Sequence, residues 1–188
     1  MDLDKAIKER RTVRSFKKIK KVNYKHVIEA IECATKSPLA GNIPYVKFIL
    51  VQDKEKIKEL AEAAQQHFIA DTDYVVVVCS DKKFLTKNYY ERANMYARQA
   101  AGAAIENFLL KITELGLATC WIGAFSDDTV KRILKISDDI DVEAFFPIGY
   151  ELGKGKQKAK ANLDDVLFFD EWKNRYMKPR RMVESTNV

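Results

Sequence analysis

The chain has 188 residues, enough for one domain with a substantial core; 47% are hydrophobic and 32% charged. A net charge of +6 at pH 7 favours anionic ligands, cofactor phosphates among them, but the basic residues run the whole length without the repeated aromatic interleaving of a nucleic-acid surface. No apolar run is long enough to cross a bilayer, Met1-Asp2-Leu3-Asp4 lacks a signal-peptide core, and Cys33, Cys79 and Cys120 lie far apart in apolar stretches, as buried thiols of a cytoplasmic protein rather than disulfides or a zinc site.

Leu3 to Glu9 reads as a first helix. Arg10-Arg11-Thr12-Val13-Arg14-Ser15-Phe16 follows. In an extended chain alternate residues share a face, so Arg10, Thr12 and Arg14 project together, Val13 and Phe16 can pack inward, and Arg11 turns away. Guanidinium groups beside a hydroxyl make a phosphate receptor; a solvated basic surface accounts for the same residues equally well. Lys17 to Lys21 is a charged link. Asn23 can cap a helix whose apolar stripe is Val27, Ile28, Ile31 and Ala34, ending before Ser37-Pro38. Residues 37 to 44 form a turn-rich loop able to present backbone groups and Asn42 to a ligand. Val46 to Gln52 is a strand by its β-branched content, and Asp53 can cap the helix through Ile57, Leu60 and Ala64. Tyr74 to Cys79 is a continuous apolar run, as for a strand buried on both faces.

From about Glu91 to Leu115 the pattern is one long helix. Its small residues, Ala100 to Ala104, and its apolar faces suit either a central core helix or a dimer interface. Gly116 is a good C-cap. Ala118 to Gly123 is a strand, and Ser126 caps a helix with Asp127 and Asp128 in its first turn. Val142 to Tyr150 is the last clear strand, and Pro147 argues for a place near a sheet edge or for fraying there. Residues 153 to 161 are a lysine-rich loop, Asn162 to Val166 a short turn, and the tail from Glu171 is aromatic and basic. Helices and strands alternate, predicting an α+β or α/β sandwich with one sheet covered by helices.

The usual catalytic groups are missing. There is no Gly-rich phosphate loop and no nucleophile elbow. His26 and His67 are the only histidines, and neither has an acid partner at telling spacing. The carboxylate pairs Asp127/Asp128, Asp138/Asp139 and Asp164/Asp165 sit at helix starts or turns, where capping accounts for them. An enzyme built this way leaves the reaction to a cofactor.

Four stretches resemble one family. Arg10-Arg11-Thr12-Val13-Arg14-Ser15-Phe16 is similar to the R-R-S-x-R-x-F segment of the FMN-dependent nitroreductases. Ser37-Pro38-Leu39-Ala40-Gly41-Asn42-Ile43-Pro44-Tyr45 resembles their S-P-S-x-x-N-x-Q-P-W loop. Gly116-Leu117-Ala118-Thr119-Cys120-Trp121-Ile122-Gly123-Ala124-Phe125 resembles their G-L-G-T-x-W-I-G-G-F strand. Lys158-x-Lys160-x-x-Leu163 stands where they have a K-x-R-x-P-L phosphate clamp. The order is the family's, and the four together cover most of the chain.

The resemblance implies a single domain over residues 1–188, with an extension from about 171. Its fold would be an α+β three-layer sandwich, a mostly antiparallel sheet flanked by helices, in an intertwined homodimer with two shared FMN sites. Arg10 and Thr12 would bind the FMN phosphate, with Lys158 and Lys160 completing that site. Arg14 would lie near the pyrimidine edge, and Gln66 would contact the pyrimidine ring. Gly123 and Ala124 would offer N–H groups to flavin N5 and O4, with Trp121 and Ile122 beside them. Arg11 stays among the cofactor-binding candidates because the family sometimes uses its backbone or side chain. Pro38, Leu39, Ala40 and Asn42 would reach the flavin of the other subunit. The activity implied is ping-pong hydride transfer from NADH or NADPH to a small oxidant such as a nitroaromatic or quinone. The departures are Leu39 for Ser, Ile43 for Gln, Lys160 for the clamp arginine and Asn162 for the proline. Two alternatives stand beside this: an FMN-binding protein of the same fold without turnover, and a basic binding module for nucleic acid or an acidic partner.

Overall fold

The computed structural model describes residues 1–153, 155 and 159–177. The chain divides into two units, Met1–Gly155 and Lys156–Val188. Helices α1 (Leu3–Glu9), α2 (Tyr24–Ala34), α3 (Lys54–Ala63), α4 (Lys83–Tyr89), α5 (Ala93–Glu114) and α6 (Asp127–Leu134) belong to the first unit. So do strands β1 (Val46–Val51), β2 (Tyr74–Asp81), β3 (Ala118–Thr119) and β4 (Ile140–Gly149). In the second unit α7 (Leu163–Val166) precedes a turn where the Phe168 and Trp172 rings meet edge to face and Arg175 lies over Phe168.

The strands form one antiparallel sheet in the order β1-β2-β4-β3. β2 is buried on both faces, as its unbroken apolar run requires. Val76 and Val78 pack with α2 and α5, joined by Ala144, Phe146 and Ile148 of β4. Val75, Val77 and Cys79 pack the other way with α3 and α6, joined by Phe145. The result is the expected three layers. Local chemistry places the helix starts: Asn23 accepts from the Lys25 N–H, and Asp53 from those of Glu55 and Lys56. Gly116, at φ +69, closes α5, and the Leu117 N–H returns to the Ile112 carbonyl at 3.0 Å.

Pro147 is not near an edge, and of the two expectations the fraying one holds, on the β3 side. β4 is an inner strand, between β2 and β3. The register pairing Ala118 with Gly149 and Ile122 with Phe145 sets Cys120 opposite Pro147. Proline has no N–H to donate there, so the ladder breaks on that side alone. The strand expected over Ala118–Gly123 therefore shortens to Ala118–Thr119 plus a single bridge at Ile122. Cys120 and Trp121 leave the sheet between them.

Asp73 ties three segments together. It accepts from the Lys21 ammonium (3.0 Å), the Val22 N–H (3.1 Å) and the Lys54 ammonium (3.1 Å). Burial pushes its pKa up, but Lys21, Val22 and Lys54 outweigh this and hold it below the usual carboxylate value. We expect Asp73→Asn to cost about 2 kcal/mol at neutral pH, the scale of hydrogen bonds to a charged group. A depressed native pKa contributes stability above the unfolded value, about 4, and loses it as pH falls through the native one. Urea denaturation of both proteins should show the gap narrowing as pH falls below about 4.

Tyr90, between α4 and α5, has φ 46° and ψ −119° with its ring 78% exposed. No packing on the ring compensates this backbone strain, which costs on the order of 1–3 kcal/mol for a residue with a Cβ. Tyr90→Gly should raise the thermal midpoint by a few degrees, and calorimetry would read it.

Candidate functional site

The basic segment Arg10–Phe16 is a strap along the open side of β3 and the end of β4. Thr12 bridges Thr119 in parallel, and the Val13 N–H donates to the Thr119 carbonyl at 2.9 Å. Phe16 bridges Glu151, the Lys17 N–H donates to the Tyr150 carbonyl, and the Leu152 N–H donates to the Ser15 carbonyl. Val13 and Phe16 are buried with Ala118 and Phe68. Gly149 permits this contact, because a Cβ there would lie 2.7 Å from the Phe16 ring.

Thr12 and Arg14 are exposed on the strap, and Arg10 is half-buried. Arg10 reaches Glu106 on α5 at 3.5 Å, and Arg11 grips Glu151. Arg14 meets no carboxylate within ion-pair distance among the described residues and lies beside the Cys120 thiol. Burial raises the Cys120 pKa, and Arg14 opposes it. Cys79 is pushed up to about 11 by burial and by Glu143. Both buried thiols are therefore neutral and poor nucleophiles.

Beyond Cys120 the chain presents the Trp121 ring, 45% exposed, against the buried Phe146 ring, and then Gly123 and Ala124, both exposed. Ile122 is buried and tied to Phe145 by two backbone bonds. The N–H groups of Gly123 and Ala124 donate to no backbone carbonyl among the described residues. A Cβ at Gly123 would meet only Trp121, at 3.8 Å, so the fold would accept a side chain there and the glycine leaves open space. Gln66 is half-buried just ahead of a 3₁₀ turn, His67–Asp71, that docks on the strap through Phe68 against Phe16 (6.3 Å) and Asp71 against Lys18 (2.8 Å).

The strap, the 120–124 segment and the Gln66 turn thus share one end of the sheet. Pro38, Leu39, Ala40 and Asn42 do not join them. Their loop packs on Phe84, Tyr89 and Tyr96 and the first half of α5, with the Ala40 N–H on the Tyr45 hydroxyl at 3.1 Å. From Ala97, under that loop, to Glu106, beside Arg10, α5 rises about 13 Å. Lys160 is exposed in the second unit, and Lys158 lies outside the described residues.

Two residues of this region, Glu106 and Glu151, had no sequence signal, and Thr119, inside the 116–125 motif, was given no role of its own. The Thr119 hydroxyl is buried, the residue only 6% exposed, and has no hydrogen-bond partner. No described group of three or more His, Cys, Asp or Glu could hold a metal ion. No described helix is long and apolar enough to cross a membrane.

A three-layer α+β sandwich with a cationic strap at the sheet end is the class this geometry defines. The Nitroreductase family profile matches residues 7–73 and 64–150, and the chain belongs to that family. A protein of Archaeoglobus fulgidus, provisionally named NADH dehydrogenase/NAD(P)H nitroreductase, is 29% identical over 151 residues, 78% of this chain and 83% of its own. A nitroreductase family protein of Clostridium novyi NT has the same fold at TM-score 0.73 and 24% identity, over 93% of this chain and 96% of its own. An FMN-dependent nitroreductase of Clostridium difficile R20291 superposes at TM-score 0.76 with 24% identity, over 89% of this chain and 98% of its own.

Proposed function

We propose that the chain is an FMN-dependent oxidoreductase using NADH or NADPH to reduce a nitroaromatic, quinone or similar small acceptor. The donor set fits the cofactor. The strap offers cations and a hydroxyl for a phosphate, and the open N–H groups of Gly123 and Ala124 suit the acceptor atoms of a flavin edge. The observation that carries the reading is Arg14, the strap arginine with no carboxylate partner among the described residues, lying beside Cys120, the residue before Trp121.

FMN held here would supply the redox chemistry, hydride transfer from NADH or NADPH to the acceptor through N5. Arg10 and Thr12 hold the phosphate. Arg14 sets positive charge at the pyrimidine edge, where reduction adds negative charge, and so raises the potential. Gln66 would hydrogen-bond the pyrimidine ring. The Gly123 and Ala124 N–H groups fix the N5 and O4 edge, and Trp121 and Ile122 support them from the sheet side. No side chain is assigned proton transfer; the protein positions and polarises.

The loop at Pro38, Leu39, Ala40 and Asn42, remote from its own strap, serves the site of a second copy, which makes the working unit a homodimer. Gly102 on α5, where an added Cβ meets nothing within 4 Å, leaves room for a helix of that copy. The test is flavin uptake. Apoprotein titrated into FMN should quench its fluorescence at one flavin per chain, and failure to take up FMN would sink the reading.

A further inference from the structure

The geometry points to Arg11 as a positioning residue that works through Glu151, and not as a phosphate ligand. This rests on reading the strap as the FMN phosphate site. The Arg11 guanidinium faces Glu151 as a two-pronged pair, Nε to Oε1 at 3.3 Å and Nη2 to Oε2. Its third arm donates to the Glu9 carbonyl at 3.2 Å. The carboxylate is oriented in turn, since Oε1 also accepts the Gly155 N–H at 3.0 Å. Glu151 is only 17% exposed at its side chain, so the pair is partly desolvated and its geometry well defined.

The position of Arg11 gives the pair its purpose. α1 ends with the Arg10 N–H on the Ala6 carbonyl, and the strap next bonds the sheet at Val13. Between those points lie Arg10, Arg11 and Thr12. Thr12 bridges Thr119 of β3 and Arg10 runs to α5, and among the described residues it is the Arg11 fork that ties this stretch to β4's end. Fixing Arg11 fixes the backbone from which its neighbours Arg10 and Thr12 extend. Glu151 thereby sets where Arg10 and Thr12 face the phosphate. Arg10 and Arg11 line one pocket together with Glu9 and Glu151.

The test turns on a sign. Glu151→Gln removes a negative charge beside an anion site and frees Arg11, so charge alone tightens FMN binding. A positioning role predicts the opposite: FMN affinity falls roughly tenfold, as for other residues that orient a ligand-binding group. Riboflavin, which has no phosphate, should bind unchanged. Both are read by quenching of flavin fluorescence, with thermal unfolding as the check on folding. If Glu151→Gln does not fold, Arg11→Lys keeps the charge, loses the fork and should show the same selective loss. Unchanged or tighter FMN binding, or an equal loss for riboflavin, overturns the assignment. A wild-type chain that takes up neither flavin overturns the FMN reading and this assignment with it.

Discussion

Phe146→Ala should cost about 4 kcal/mol of folding stability, the largest effect expected of any single substitution here. Phe146 is 0% exposed at the centre of β4. Its ring meets Phe108 of α5 at 5.6 Å and Trp121 at 5.6 Å, both edge to face. The cavity cannot close easily, because Val76, Ala144 and Ile148 around it are held by the sheet register. Chemical denaturation would measure the loss. The same change removes the support under Trp121, so near-ultraviolet circular dichroism should weaken with it. A cost below about 2 kcal/mol would mean that α5 collapses onto the sheet, and that the core is looser than its packing implies.

Arg14→Ala should lower the rate of flavin reduction by NADH roughly a hundredfold, the scale of removing one preorganised electrostatic group. Arg10 and Arg11 already face Glu106 and Glu151, so part of their charge is spent within the fold. Arg14 faces only the neutral Cys120 thiol among the described residues. Its full charge is available to a ligand. Arg14→Lys should recover part of the rate, since it keeps charge and loses the planar fork. Stopped-flow absorbance in the flavin band would measure both. A rate within threefold of wild type for Arg14→Ala would assign the electrostatic role to another group.

What could be read from the sequence was local. Asn23 and Asp53 announce their helices because a capping side chain bonds N–H groups two or three residues away. The run Tyr74–Cys79 announces a doubly buried strand because both faces must be apolar. The inward packing of Val13 and Phe16 is legible for the same reason. The misplacement of Pro147 shows where this stops. Proline excludes one hydrogen bond on one side, and an inner strand tolerates it when the neighbour on that side can leave the sheet, as Cys120 and Trp121 do. The side-chain partners of the arginines were beyond reach. Arg11 and Glu151 are 140 positions apart, and no pattern in either stretch names the other. The family motifs pointed to the strap and to the 116–125 segment. That these meet at one end of the sheet, and the 38–42 loop at another, is a property of the fold alone.

On our proposal this sheet end holds a flavin and turns it over. The most direct measurement is anaerobic absorbance of the FMN-loaded protein. The flavin band should bleach on adding NADH or NADPH and return, without oxygen, on adding a nitroaromatic or a quinone. A band that neither nicotinamide bleaches would contradict turnover and leave a flavin-binding protein of the same fold.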